Sequence, residues 1–353
     1  MPLRALAGLA LLVAFAALAG PAASTPKKVT ISGRAYVFNH SETGIAGATI
    51  RVRELPGASA ITDAQGDYAL KVPDDTNVTP YIEPPPGYNQ IDLQTFHTRG
   101  KAIENANFQT PADAEYNGLA ALLSVPLGPD GRPQQCVIVT TASARNVRGV
   151  DFETFRERTP HGVPGATAKG KPALPPAIYF NDSVIPDPSR TETSGDGGIV
   201  WTEVPTGVYR VITKSPSTRF ASFLATCEPG RVVNANPPWG AYELSPGEKP
   251  LGAGAVAGEV VRLGRGTKNG FRLVIVVVRT AEPLRGRLVL RQGGRVVSGP
   301  GTTGFQPRSD KIPLRVSPAA EAGRAKLSVK LTDAAGDKVE DRFTVRLPPP
   351  PGD

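Results

Sequence analysis

The sequence predicts an all-β chain of tandem Greek-key β-sandwiches with one short helix between or beside them, and three observations carry that expectation. The 353 residues include 38 Gly and 36 Pro, too many for long helices. Apolar and polar residues alternate with period two over short runs, as in Thr49-Ile-Arg-Val-Arg53 and Ala325-Lys-Leu-Ser-Val-Lys-Leu331. Turn residues, chiefly Gly beside Asp or Pro, punctuate these runs at short intervals.

The chain opens with Met1-Pro-Leu-Arg4, an apolar run from Ala5 to Leu18 and the small residues Ala19-Gly-Pro-Ala-Ala-Ser24. A basic start, an apolar stretch short for a bilayer span and small residues beyond it read as a secretory signal over residues 1–24. No Cys marks a lipoprotein anchor, and no second apolar run of spanning length follows. The expected location is therefore secreted, extracellular or periplasmic. In such an oxidising compartment Cys136 and Cys227, the only cysteines, are expected to form one structural disulfide, with two buried free thiols as the alternative.

An internal repeat follows. Val29-Thr-Ile-Ser-Gly-Arg-Ala-Tyr-Val-Phe38 aligns without a gap to Val147-Arg-Gly-Val-Asp-Phe-Glu-Thr-Phe-Arg156, and Gly44-Ile-Ala-Gly-Ala-Thr49 to Gly162-Val-Pro-Gly-Ala-Thr167. Thr62-Asp-Ala-Gln-Gly-Asp-Tyr-Ala-Leu70 then corresponds to the segment from Thr193 to Trp201, with a Pro-rich insertion, Pro172 to Pro188, lengthening the second copy. A period above about 100 residues implies tandem domains rather than a solenoid. Asp63-Ala-Gln-Gly66 and Ser194-Gly-Asp-Gly197 read as hairpin turns. Trp201, at the end of an alternating strand, reads as core.

The pattern Gly-x-x-Gly-Ala-Thr followed by Thr-Asp-x-x-Gly-x-Tyr-x-Leu resembles the carboxypeptidase regulatory-like family, grouped with transthyretin-like and collagen-adhesin B-type sandwiches. The resemblance implies a seven-stranded, non-catalytic module used in accessory, stalk or carbohydrate-binding roles. It covers Val29 to about Pro73 in the first copy and, more loosely, Gly165 to Tyr209 in the second. Two such domains are expected, over residues 27–145 and 146–246.

Within the first, residues 110–124 carry the helical signal. Thr110 is placed as N-cap, Pro111 in the first turn, and Tyr116, Leu119, Ala120 and Leu123 on one face, with Pro126 ending the helix. Residues 247–258, rich in Gly, Ala and Pro, read as a linker. Residues 259–348 are expected to form a basic sandwich resembling a bacterial immunoglobulin-like domain. Its strands include 271–279, 284–291, 311–317, 325–331 and 342–347, with Asp333-Ala-Ala-Gly-Asp337 as a hairpin.

Charge divides along the same boundary. The chain has 40 basic and 32 acidic side chains, but 18 of the former and only 8 of the latter lie between Leu251 and Leu347. That segment is net +10 and the rest is net −2. A basic sheet face suits an anionic cell-wall polymer, an acidic glycan or a membrane surface. Secretion and few aromatics among the charges argue against nucleic acid.

Catalytic motifs are missing: there is no Gly-x-Ser-x-Gly, no His-Glu-x-x-His and no phosphate loop. Three His and two Cys leave no multi-histidine or thiolate metal site, so neither metal nor cofactor is expected. Intradiol dioxygenases, which resemble these sandwiches, hold iron with two Tyr and two His; Tyr179, Tyr209 and His161 offer an incomplete set, and such an enzyme is one alternative. Acidic turns at Asp74-Asp-Thr-Asn77, Asp182, Asp187 and Asp196 match no calcium-loop spacing. Exposed aromatic rings bind sugars by stacking, and Trp239 and Tyr179 are the candidates; for Trp239, which follows two Pro in a loop, the competing expectation is a plug at a domain junction. The expected role is non-enzymatic extracellular binding or scaffolding, toward a glycan, a cell-wall polymer or another surface protein. Polyanion binding by the basic domain is the other alternative.

Overall fold

The computed structural model describes residues 27–158, 160–235, 237–347 and 349–350. The expected signal, residues 1–24, lies outside the described residues. What is described is all-β: three face-to-face sandwiches with two short α-helices among the described residues.

In the first sandwich, Lys28–Val37 runs antiparallel to Asp67–Pro73 and His40–Gly44, and parallel to Phe108–Thr110. The facing sheet sets Thr49–Val52 between Leu55–Ile61 and Pro80–Glu83. Period two is obeyed: Val29, Ile31, Leu70 and Val72 point inward from one sheet, and Ile50, Val52 and Ile82 from the other.

The second sandwich repeats this plan. Cys136–Ser143 pairs antiparallel with Gly198–Val204 and parallel with Val232–Ala235 and Ala241–Leu244. Thr167–Lys171, Gly207–Lys214 and Phe223–Cys227 form the facing sheet. Cys136 and Cys227 join the two sheets through the expected disulfide, their Cα atoms 5.5 Å apart. Trp201 is fully buried, as expected of core. Tyr209 donates its hydroxyl to Pro205 O (3.0 Å), a tyrosine corner that pins the turn before its strand.

The repeat motif has a physical meaning. Thr62 Oγ1 donates to Ile45 O (2.7 Å) and accepts from Ala48 N (2.9 Å). Thr193 Oγ1 does the same with Val163 O (2.7 Å) and Ala166 N (2.8 Å). Gly66 and Gly197 both have positive φ, and an added Cβ would lie 2.3 Å from Ala35 O in one case and 2.8 Å from Ala142 O in the other. Gly-x-x-Gly-Ala-Thr and the Thr four residues before Gly are thus the two halves of one clasp.

Four expectations are corrected, the first two by that clasp. Residues 147–156 are not the partner of 29–38: they form the 3-10 turn Arg145–Val147 and the helix Phe152–Glu157, capped by Asp151, which accepts from Thr154 N (2.8 Å). Cys136–Ser143 is the partner, because Ala142 N bonds to Gly197 O as Ala35 N bonds to Gly66 O. Asp63–Gly66 and Ser194–Gly197 do form turns, but neither closes a hairpin: the first carries the chain between facing sheets, and the strands flanking the second, Pro186–Asp187 and Gly198–Val204, pair with Ile178–Phe180 rather than with each other. The insertion is more than a loop, since its strand Ile178–Phe180 pairs with Gly198–Val204. The helix spans Asp113–Leu122 with Ala112 at its N-cap; Thr110 ends a strand instead.

In the third sandwich, Phe271–Thr280 lies between Gly258–Lys268 and Ser309–Arg315. The facing sheet orders Arg295–Phe305, Leu284–Gln292, Gly323–Thr332 and Lys338–Leu347, the last two joined by the expected hairpin at Asp333–Asp337. The strands Gly258–Lys268 and Arg295–Phe305, whose Gly-rich sequences hide the alternation, were not expected.

The sandwiches are fused rather than strung. Asp92 N donates to Val232 O and Asn234 N to Asp92 O (2.8 Å each), so first and second share a backbone ladder. Residues 247–258 are no free tether: Val256 is fully buried in the third core, and Arg99 from the first sandwich donates to Val256 O.

Candidate functional site

Sugar stacking needs an exposed ring face. Trp239 is only 7% exposed; its ring meets Phe96 edge-on at 5.0 Å and its Nε1 donates to Glu104 O (2.8 Å). It plugs the joint between the first two sandwiches, with one edge on a groove beside Arg99, Lys101 and Arg148. Tyr179 is 6% exposed, in the second core, its hydroxyl accepting from Ala168 N (3.4 Å). The structure does not bring the two rings onto one surface. Nor are the residues of the dioxygenase alternative free to act as a set. Tyr209 is held by Pro205, Tyr179 by Ala168, and His161 stacks on Phe155 at 4.8 Å.

Two other features stand out. The first is a cleft of about 560 Å³ between the first two sandwiches, lined by Tyr36, Phe38, Phe155, His161, Asp196 and Asn234 among others. A smaller apolar cavity of about 90 Å³ adjoins it, walled by Tyr116, Leu119 and Ala120 of the helix and by Leu123 just beyond it. His161 Nε2 and Asn234 Oδ1 are buried without a hydrogen-bond partner among the described residues. Burial pushes the Asp196 carboxyl above its ordinary range and holds the His161 imidazole below its own. A cleft with neutral His161 and a bare amide oxygen accepts hydrogen bonds and asks for a donor-rich ligand.

The second is the outer face of the four-stranded sheet of the third sandwich. Leu284, Leu288, Leu290, Leu327, Val329 and Leu331 point into the core, so the alternate positions must point out. Strand register then sets Arg287 opposite Lys330 and Arg291 opposite Lys326, like charge against like. All four are exposed, and none makes an ion pair within 4 Å among the described residues. Directly opposed like charges destabilise a sheet. Glu340 stands opposite Lys330 on the neighbouring strand but is hydrogen-bonded to Arg342 (3.0 Å) and Ser328 (2.9 Å), so one carboxylate already shared with Arg342 faces four further cations. These side chains wall an open depression of about 480 Å³. The sequence foretold the basic sheet face; the pairing of like charges needed the register.

No family model matches this chain, and no curated protein does. Among solved structures, it is similar to OgpA from Akkermansia muciniphila at 12% identity and TM-score 0.21, over 33% of this chain and 38% of that one. It spans well under two thirds of that protein. A tetra-tandem repeat from the extending region of a large adhesion protein is similar at 12% identity and TM-score 0.22, covering 91% of this chain and 74% of that one. A streptococcal ancillary pilin is similar at 9% identity and TM-score 0.19, covering 90% and 95%. Superpositions of this quality carry no argument about function, and the architecture rests on the strand pairing itself.

Proposed function

We propose that this is a secreted, non-catalytic modular protein that holds an anionic polysaccharide on the outer sheet face of its third sandwich. Its first two modules are read as carboxypeptidase regulatory-like domains over 27–145 and 146–246, and its third as an immunoglobulin-like domain over 259–348. One observation carries the ligand class: Arg287 and Lys330, and Arg291 and Lys326, face each other in register, and none of the four forms an ion pair within 4 Å among the described residues, although Glu340 stands across from Lys330 on its other side. Placing repelling cations on an exposed sheet costs stability, and a polyanion laid across them relieves that cost.

The test is binding of the full chain to immobilised polygalacturonate, with uncharged dextran as control, at low and physiological salt. Binding is expected to weaken steeply as salt rises. Replacing Arg287 and Lys330 by Ser is expected to lower affinity roughly fivefold per residue, at about 1 kcal/mol for each basic side chain near an anionic surface. No binding at low salt, or wild-type binding by the double variant, overturns the proposal.

A second reading places a hydroxyl-rich ligand, such as a neutral sugar, in the cleft beside His161 and Asn234. The two unpartnered acceptors favour it. Asn234→Ala would abolish binding of a neutral oligosaccharide found on a glycan array; a panel without hits would end that reading.

A further inference from the structure

Asp75, His97 and Glu259 come from three separate parts of the chain. Asp75 sits in the turn after Asp67–Pro73 with φ +53°, His97 ends the short strand Phe96–His97, and Glu259 lies in the first strand of the third sandwich. One ligating atom of each lies within 4.8 Å of the other two. His97 Nε2 is 3.1 Å from Asp75 Oδ1. His97 and Glu259 are buried, at 1% and 4% exposure, while Asp75 is open to solvent.

The orientation of these groups is the core of the argument. His97 Nδ1 lies 2.7 Å from the amide oxygen of Asn77. With the amide so placed, Nδ1 donates, and Nε2 presents a lone pair to the Asp75 carboxylate. Glu259 adds a second carboxylate; Arg279 takes its Oε1 through Nε (2.6 Å). Three acceptors therefore converge where at least one donor or cation is required. The surrounding charges are Arg99 and Arg279 against Asp75, Glu259 and Asp341, negative on balance.

We propose that Asp75, His97 and Glu259 are the ligands of a divalent transition cation of the zinc type, which ties the first sandwich to the third. One imidazole nitrogen with two carboxylate oxygens suits zinc better than calcium or magnesium, which prefer oxygen alone. Tetrahedral zinc with bonds of about 2.0–2.2 Å sets its ligand atoms about 3.4 Å apart, so the widest pair must draw in by up to about an ångström, a movement shared by the exposed Asp75 side chain. Asn77 is the outer partner that fixes the imidazole, as a carbonyl or carboxylate does behind most metal-bound His. Three protein ligands leave a fourth position for water. This site is independent of the polysaccharide face.

The experiment uses the full chain, stripped with EDTA, dialysed and titrated with Zn²⁺ against a chromophoric competitor, with Tm measured in parallel. One zinc per chain and a rise in Tm are expected. His40→Ala, which removes an exposed imidazole elsewhere, is expected to leave both unchanged. Asp75→Asn and His97→Gln are expected to weaken binding at least tenfold, and Asn77→Ala about tenfold. Asp75 is an exposed side chain, so Asp75→Asn reports on the site without threatening the fold. Zinc absorption spectroscopy should show one nitrogen and two carboxylate oxygens. Absence of saturable binding up to millimolar zinc overturns the proposal, as does unchanged affinity in Asp75→Asn and His97→Gln.

Discussion

Arg210 leaves the second sandwich and ends between two carboxylates of the third. Its guanidinium is 1% exposed, donates to Glu282 through Nε (2.9 Å) and lies 3.6 Å from Asp333 Oδ2. It also donates to Gly254 O (2.9 Å), so the Gly-rich segment 247–258 is fixed from both sides. Arg210→Met strands two carboxylates in a dry junction; a loss of about 3–5 kcal/mol is expected in urea unfolding. Burial, the largest cause, pushes the Asp333 carboxyl up to about 6 despite Arg210 beside it. A carboxyl whose folded pKa exceeds its unfolded value binds protons more readily when folded. Its contribution is therefore complete below about pH 4 and is lost as pH rises through about 6. Asp333→Asn should flatten the stability profile between pH 4 and 6, measured by thermal melts. It keeps the Oδ1 that accepts from Ala335 N and Asp337 N (2.9 Å each), so the hairpin turn survives.

At the scale of the element, the clasp explains why so few residues mark each repeat. Thr62 and Thr193 each tie the start of a strand in one sheet to the turn that leaves for the other. Thr193→Val keeps the shape and deletes both hydrogen bonds, leaving Ala166 N and Val163 O buried without that partner. A loss of about 1–3 kcal/mol is expected in equilibrium unfolding, with Thr62→Val giving a similar figure. The motif was readable because backbone geometry demanded it: Gly66 and Gly197 adopt positive φ, and Cβ has no room there. The segment 147–156 aligns in sequence with the strand at 29–38. The Asp151 cap and the packing of Phe155 against Tyr36 and Val147 made it helical. Short apolar patterns do not separate strand from helix, and the neighbours decide.

For the whole molecule, the disulfide and the junctions set the stability. Cys136–Cys227 closes a separation of 91 residues across the two sheets of the second sandwich. Cys136→Ser with Cys227→Ser is expected to cost about 2–5 kcal/mol, seen as a lower urea midpoint and matched by reducing the wild type. The first sandwich meets the second along the Asp92 ladder, and the third through Arg99 and the Asp75–His97–Glu259 cluster. Three modules joined this way should present the basic face, the cleft and the cluster at fixed relative positions.

By itself the sequence determined the all-β class, the tandem plan, the disulfide partners and the basic character of the last third. Each follows from local physics: period-two patterning, glycines that turns require, the even count of two cysteines and the composition of one segment. Only the tertiary structure decided the sites. From sequence Trp239 could stack on a sugar or plug a junction; it is a plug, held by Phe96 and Glu104, which lie far from it in sequence. Scarcity of His argued against a multi-histidine metal centre, yet a single His97 meets Asp75 and Glu259 from distant segments. Arg287 and Lys330 are 43 positions apart and become neighbours through register alone. Patterning reports which face a residue occupies; which residues share that place is settled by long-range pairing, and both the binding face and the proposed metal site depend on it.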